Sequence, residues 1–239
     1  MGLFSREKKN CGICGKELGM LGKRKLEDGY LCKDCISKLS PFFNERRHST
    51  IDDIAQQLEY REANKDRVAQ FRPTSTLGDR TKVMLDEDGG TFIITRSKHW
   101  QDENPDVIDF SQVTGARVDV NENRTEIMHE RSDGRRESYY PPRYEVHYDV
   151  DVIINVDSPY FDEIRIDIDE GTIGEYGGSG AYDNARQTAQ GICDALTAVR
   201  QEVRAAKAPK TAVTCPHCRA TTIPDASGRC EYCGGAIAG

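Results

Sequence analysis

At 239 residues, with 37% apolar and 31% charged side chains and a formal net charge of −7, the chain has room for one or two ordinary domains. No apolar run approaches the roughly 20 residues a membrane-spanning helix needs. The opening MGLFSREKKN shows neither an apolar signal segment nor the Ser or Thr at position 6 that myristoylation wants, so a cytoplasmic location is expected. The charge is uneven: residues 1–50 carry 11 basic and 6 acidic groups, net +5, whereas residues 72–180 carry 12 basic and 24 acidic groups, net −12. Such asymmetry marks modules with different partners. Nine cysteines fall as Cys11, Cys14, Cys32 and Cys35, then Cys193, then Cys215, Cys218, Cys230 and Cys233. In a reducing compartment, two sets of paired CxxC read as metal sites and not as disulfides. Two structural zinc ions held by these eight thiolates would move the formal charge from −7 to about −11.

The first module reads CGICGKELGMLGKRKLEDGYLCKDCISKLS, with seventeen residues between its CxxC pairs. Gly12 and Gly15 are expected to let the first knuckle turn tightly. Asp28-Gly29 predicts a hairpin turn, and Cys32 and Cys35 are placed at the start of a short helix. Leu18, Leu21, Leu26, Tyr30, Leu39, Phe42 and Phe43 are the expected core. This order of knuckle, hairpin and helix-borne pair resembles the treble-clef zinc finger, here assigned residues 1–48.

A connecting helix is expected over 51–70, within a segment 49–72, with Thr50 and Asp53 as a capping pair and Ile51, Ile54 and Leu58 on one face. Its charged polar face suits a spacer or a docking helix. Arg72 to Thr76 reads as a linker. From about 80 the period becomes two. Val83 and Leu85 precede an Asp88-Gly89-Gly90 turn and Phe92-Ile93-Ile94. Ala116, Val118 and Val120 form one apolar face, and Tyr144 to Ile154 and Ile164 to Ile168 form others. These patterns predict an antiparallel sheet wet on one side. A helix follows from near Asp183 to about Lys207, with Cys193 on its apolar stripe among Ala189, Ile192, Leu196, Val199 and Val203. Residues 78–207 thus resemble a pleckstrin-homology-like antiparallel barrel or sandwich closed by its C-terminal helix. The fold class is α+β and multi-module.

The last module, 213–239, reads CPHCRATTIPDASGRCEYCGG and resembles a rubredoxin-type four-cysteine zinc ribbon. Iron is the alternative to zinc there. His217 lies inside the first knuckle but is surplus to four sulfurs. CGICGKELGMLGKRKLEDGYLCKDC, followed by LSPFF, RRHST and the YREAN helix, is similar to an uncharacterised bacterial four-cysteine zinc-finger family, domain of unknown function 4428. That resemblance implies metal at Cys11, Cys14, Cys32 and Cys35 and implies no activity.

No P-loop or GxSxG motif is present, His129-Glu130 lacks the second histidine of HExxH, and Gly177-Gly178-Ser179-Gly180 reads as a loop. Asp149/Asp151 and Asp167/Asp169 read as a solvated acidic sheet face, and His147 as a surface histidine. A non-enzymatic adaptor acting through protein contacts is therefore expected. Its contact loop would be HERSDGRRESYYPPRY, which concentrates Arg131, Arg135, Arg136 and Arg143 with Tyr139, Tyr140 and Tyr144. The alternative is nucleic-acid binding through the basic N-terminal finger, with Lys16, Lys23, Arg24 and Lys25 as contacts and Lys8 and Lys9 alongside. Phosphoinositide binding is disfavoured, because Asp86-Glu87-Asp88-Gly89-Gly90 stands where lipid-binding relatives of the barrel carry basic residues.

Overall fold

The computed structural model describes residues 9–19, 22–168, 179–207, 212–225 and 227–237, and its first described segments form two small hairpins and a one-turn helix. β1 (Lys9–Asn10) pairs with β2 (Glu17–Leu18), and β3 (Arg24–Lys25) with β4 (Tyr30–Leu31). The Leu26 N–H bonds the Gly29 carbonyl at 2.9 Å, closing the turn expected at Asp28-Gly29. α1 (Lys33–Ile36) follows, with Cys32 as its N-cap. Cys11, Leu26, Leu31, Cys32, Cys35, Leu39 and Ile54 are buried together, with Leu18 and Phe43 at the margin. Of the expected core, Phe42 belongs elsewhere: its ring meets Phe161 edge-on at 5.5 Å, on the β domain. Leu21 lies outside the described residues.

α2 (Ile51–Gln70) covers the predicted span and carries the predicted capping box, in which Thr50 Oγ1 accepts from Asp53 N–H and Asp53 reaches back to Thr50 N–H at 2.8 Å. It is no free spacer. Ile54 enters the finger core, while Val68 and the capping residue Phe71 pack with Ile93, Trp100 and Val107. Between these ends the helix buries Gln57, Arg61 and Asn64. Arg61 forms an ion pair with Asp106 at 2.7 Å, and Ser40 donates to the other Asp106 oxygen at 2.7 Å. Finger, helix and β domain thus meet at one buried polar node.

The β domain has four strands and then three. β5 (Ser75–Leu77), overlapping the end of the segment read as a linker, pairs with β6 (Lys82–Asp86). β7 (Thr91–Thr95) comes next, then α3 (Trp100–Glu103) and β8 (Ile108–Asp109), giving the antiparallel order β5-β6-β7-β8. β9 (Val113–Glu130), β10 (Arg136–Val156) and β11 (Glu163–Asp167) form a second sheet, order β11-β10-β9. α4 (Ser179–Lys207) buries Ala185, Ala189, Ile192, Cys193, Leu196 and Val199 against Val83, Leu85, Phe92, Val150, Val152, Ile154, Ile164 and Ile166. Cys193 is the small buried apolar group its stripe predicts, and burial pushes its thiol up.

Two expectations for these sheets are corrected. The first sheet is covered on both faces, because Ile93 points away from Phe92 into the Val68, Phe71 and Trp100 cluster. The unbroken Phe92-Ile93-Ile94 run is the sequence trace of that two-sided burial. On the second sheet Asp151 is buried, and Arg165 spans to Asp151 and Asp119 at 2.6 and 3.1 Å. That face is therefore partly neutralised and not a bare acidic surface. Asp169 lies outside the described residues. His147, read as solvent-facing, keeps 20% of its side-chain exposure.

The expected contact loop at 130–143 is also corrected: it is the tip of a paired two-stranded ribbon. Arg136 faces Glu130, Glu137 faces His129 and Ser138 faces Met128. The register then slips, so that Arg143 faces Ile127 and Tyr139 to Pro142 bulge out. Asp133-Gly134 makes the turn, with Gly134 at φ +78°, a left-handed conformation that favours glycine. β11 pairs with β10 only over Asp151 to Asn155. Among the described residues, 121–130 and 136–149 therefore run on as two paired strands without a third, a length of about 30 Å. Near the C-terminus β12 (Val213–Thr214) pairs with β13 (Thr221–Thr222), followed by a bridge between Arg229 and Ala236.

Candidate metal centres and the surfaces beside them

Three of the four CxxC pairs share one backbone design. The N–H groups of Gly15, Arg219 and Gly234 bond the carbonyls of Cys11, Cys215 and Cys230 at 2.9, 2.9 and 2.8 Å. One residue later, Lys16, Ala220 and Gly235 accept from the N–H of Cys11, Cys215 and Cys230, each at 2.9 Å. The bond-donating residue adopts positive φ in each knuckle: +72° at Gly15, +61° at Arg219 and +68° at Gly234. Arg219 is the strained member, because only glycine takes that conformation without Cβ cost. Gly12, expected to help the turn, does something else. A Cβ there would lie 2.5 Å from Ile51 Cδ1, so its bareness admits the first residue of α2.

The fourth pair is helical. Cys32 caps α1 and its sulfur accepts from the Cys35 N–H at 3.3 Å. The N-terminal centre is thus one knuckle facing one helix start, and the C-terminal centre is two knuckles face to face.

In both centres four sulfurs converge within 4.8 Å of one another. Cys11 and Cys35 stand 3.8 Å apart and Cys14 and Cys32 3.7 Å. Cys215 and Cys233 are 3.7 Å apart and Cys218 and Cys230 3.6 Å. A disulfide needs about 2.05 Å. A tetrahedron with Zn–S bonds of about 2.3 Å has edges of about 3.8 Å, so both quartets fit a four-sulfur metal site. The thiol acidities agree. Burial raises Cys11, but the backbone N–H groups of Cys14 and Cys32 bring it down to about 6. Burial and the neighbouring thiols push Cys35 far up. In the second quartet the Cys218 N–H lowers Cys215 to about 6, while Cys233, despite the Gly235 N–H, is pushed up to about 12 by the surrounding thiols and burial. One thiolate per site forms readily and four do not without a cation to neutralise them. His217 is no part of the quartet; a Cβ at Gly235 would lie 2.6 Å from its ring, so the imidazole covers the second knuckle.

The structure divides the basic candidates. Lys16 is committed to Asp34 at 2.8 Å, which holds the Asp34 carboxyl below its usual range. Lys23, Arg24 and Lys25 instead line a groove of about 780 Å3 with Glu27, Arg46, Arg47 and His48. Arg46, Arg47 and His48 are not among the basic contacts expected from the sequence. They arrive because the Glu27 N–H bonds the Ser49 carbonyl at 3.0 Å and Asp28 accepts the Ile51 N–H at 2.9 Å. No local signal in RRH announces that pairing.

At the ribbon tip, Arg143 lies over the Tyr139 ring at 4.5 Å and His129 meets the same ring at 4.9 Å. Arg131 pairs with Glu137 at 3.2 Å and Arg135 reaches Asp133 at 3.9 Å. Arg136 is exposed, Tyr140 fully exposed, and Tyr144 48% exposed. The candidate contacts are therefore gathered on one projection, with Tyr139 and Arg143 packed into a cluster and Tyr140 standing apart.

Residues 9–57 match the family described as a domain of unknown function (DUF4428). That segment contains the first cysteine quartet and the start of α2, and the second quartet lies outside it. No significant match was found among curated proteins, nor among solved structures. Among the described residues, no helix is long and apolar enough to cross a membrane.

Proposed function

We propose that this chain is a non-enzymatic, cytoplasmic adaptor stabilised by two structural zinc ions and acting through protein contacts. Cys11, Cys14, Cys32 and Cys35 hold one ion in a treble-clef-type finger; Cys215, Cys218, Cys230 and Cys233 hold the other in a ribbon. A closed four-sulfur shell leaves no coordination position for water or substrate, and modules this small need the metal to fold. The order of four strands, three strands and closing helix supports the pleckstrin-homology-like reading of the middle domain.

The observation that carries the adaptor reading is the ribbon. Arg131, Arg135, Arg136, Tyr139, Tyr140, Arg143 and Tyr144 sit on a hydrogen-bonded arm beyond the third strand, with residue types favoured at interface hot spots. A pre-formed arm costs less ordering on binding than a disordered loop. Cross-linking and mass spectrometry from the native host, with wild type beside a Tyr139→Ala/Tyr140→Ala/Arg143→Ala variant, test it. The partner set should be lost in the variant at unchanged zinc content and circular dichroism. Recovery of the same partners at the same yield refutes the reading.

A further inference from the structure

We infer that the groove between β3 and the 46–48 turn is a binding site for the phosphate backbone of a nucleic acid. This inference is independent of the ribbon. The two walls come from segments twenty residues apart: Lys23, Arg24 and Lys25 on one side, Arg46, Arg47 and His48 on the other, with Glu27 as the single acidic residue among the described lining. With histidine neutral, the lining sums to +4. Burial, and after it the charges of Arg47 and Arg24, lower Arg46 from its ordinary value. The positive strip continues beyond the groove. Lys9 and Lys23 both stand over the Tyr30 ring, 4.6 and 5.7 Å from its centre, and Lys9 Nζ is 3.3 Å from the Tyr30 hydroxyl.

The chemistry of the lining chooses the ligand. All seven described groove residues are charged or imidazole. A folded protein partner needs aromatic or aliphatic anchors in desolvated pockets, which the described residues of these walls do not supply. An amphipathic or lipid-inserting surface needs apolar side chains beside its cations, and there is none among the described lining residues. A chain of phosphates needs only spaced cations, and arginine forks suit phosphate oxygens. The acidic body does not cancel this site, because exposed charges more than about 8–10 Å apart are largely screened at physiological salt. Binding is expected to be indifferent to sequence, since phosphate contacts position a strand without reading it.

Five groove cations neutralising about five phosphates of a single strand give a slope of log K against log salt near −3.5, a loss of about a hundredfold between 50 and 200 mM salt. The test uses the full chain and a fluorescein-labelled 20-nucleotide poly-dT, read by anisotropy across that salt range. Arg46→Ala/Arg47→Ala should weaken binding at low salt at least tenfold and flatten the slope by about 1.4. Lys16→Ala should change neither. The Tyr139→Ala/Tyr140→Ala/Arg143→Ala ribbon variant should bind as wild type, which separates this site from the adaptor reading. Zinc content monitors folding throughout. Absence of binding at 50 mM salt overturns the inference. So does binding that Arg46→Ala/Arg47→Ala leaves unchanged, or binding to phosphatidylserine vesicles with none to the oligonucleotide.

Discussion

Replacing Arg61 by methionine should cost the protein about 3–5 kcal/mol, the usual penalty for stranding one member of a buried ion pair. The guanidinium does three things at once. It pairs with Asp106, whose side chain is 0% exposed, and it donates to the carbonyls of Lys38 and Asn104. Methionine fills much of the same volume but leaves the Asp106 carboxylate with only neutral donors, the Ser40 hydroxyl at 2.7 Å and its own backbone N–H. The single tryptophan, Trp100, is 7% exposed and 5.5 Å from Phe71, so its fluorescence reports on this junction during urea unfolding. With a urea slope of roughly 1–3 kcal/mol per molar, the midpoint should fall by at least about 1 M. Arg67→Ala is the control. Its partner Asp109 is 2.9 Å away, but the two side chains are 35% and 46% exposed, so about 1 kcal/mol or less is expected. Arg61→Met/Asp106→Leu should recover most of the loss, because an apolar replacement of the whole pair removes the stranded charge. The pH dependence has a definite sign. Burial outweighs Arg61 and Ser40 and already raises the Asp106 carboxyl. A carboxyl raised in the folded state favours folding when protonated and costs stability as it ionises with rising pH. Losing Arg61 raises it further, so the variant's deficit should narrow as the pH is lowered from neutral. A deficit no larger than that of Arg67→Ala, or one that widens toward acid, refutes the reasoning.

Elemental analysis should find about two zinc ions per chain, and Cys32→Ser should leave one. Serine keeps the N-cap of α1, so the loss reads the sulfur ligand and not the helix; two ions retained would contradict the assignment. Gly12→Ala should destabilise the finger by about 1–3 kcal/mol, because its Cβ would stand 2.5 Å from Ile51 Cδ1. Adding Ile51→Ala should give a double variant less destabilised than the sum of the singles, measured by thermal unfolding; strict additivity would show that Gly12 and Ile51 do not meet.

The helix over 51–70 was legible because its signals are local: Thr50 and Asp53 stand three apart, and Ile51, Ile54 and Leu58 share a face. The two cysteine quartets were legible for the same reason, since CxxC spacing fixes where two sulfurs can point. Alternation likewise exposed β6, β7 and most of β9 to β11. The ribbon was missed in part because residues 130–143 carry few apolar side chains. Their strands are held by backbone pairing and a bulge, which leave little trace in composition.

What tertiary structure alone decided is how these pieces meet. The sequence by itself determined the two cysteine quartets that could hold metal ions and the phase of most elements, because each is written within about thirty residues. It did not determine that Arg61 finds Asp106 across 45 positions, that Phe42 leaves the finger for Phe161, or that Arg46 and Arg47 stand opposite Lys23 to Lys25. Those contacts depend on long-range packing of a helix that is polar along much of its buried face. Burial there is stabilised by partners brought from elsewhere in the chain, and only the folded structure names them.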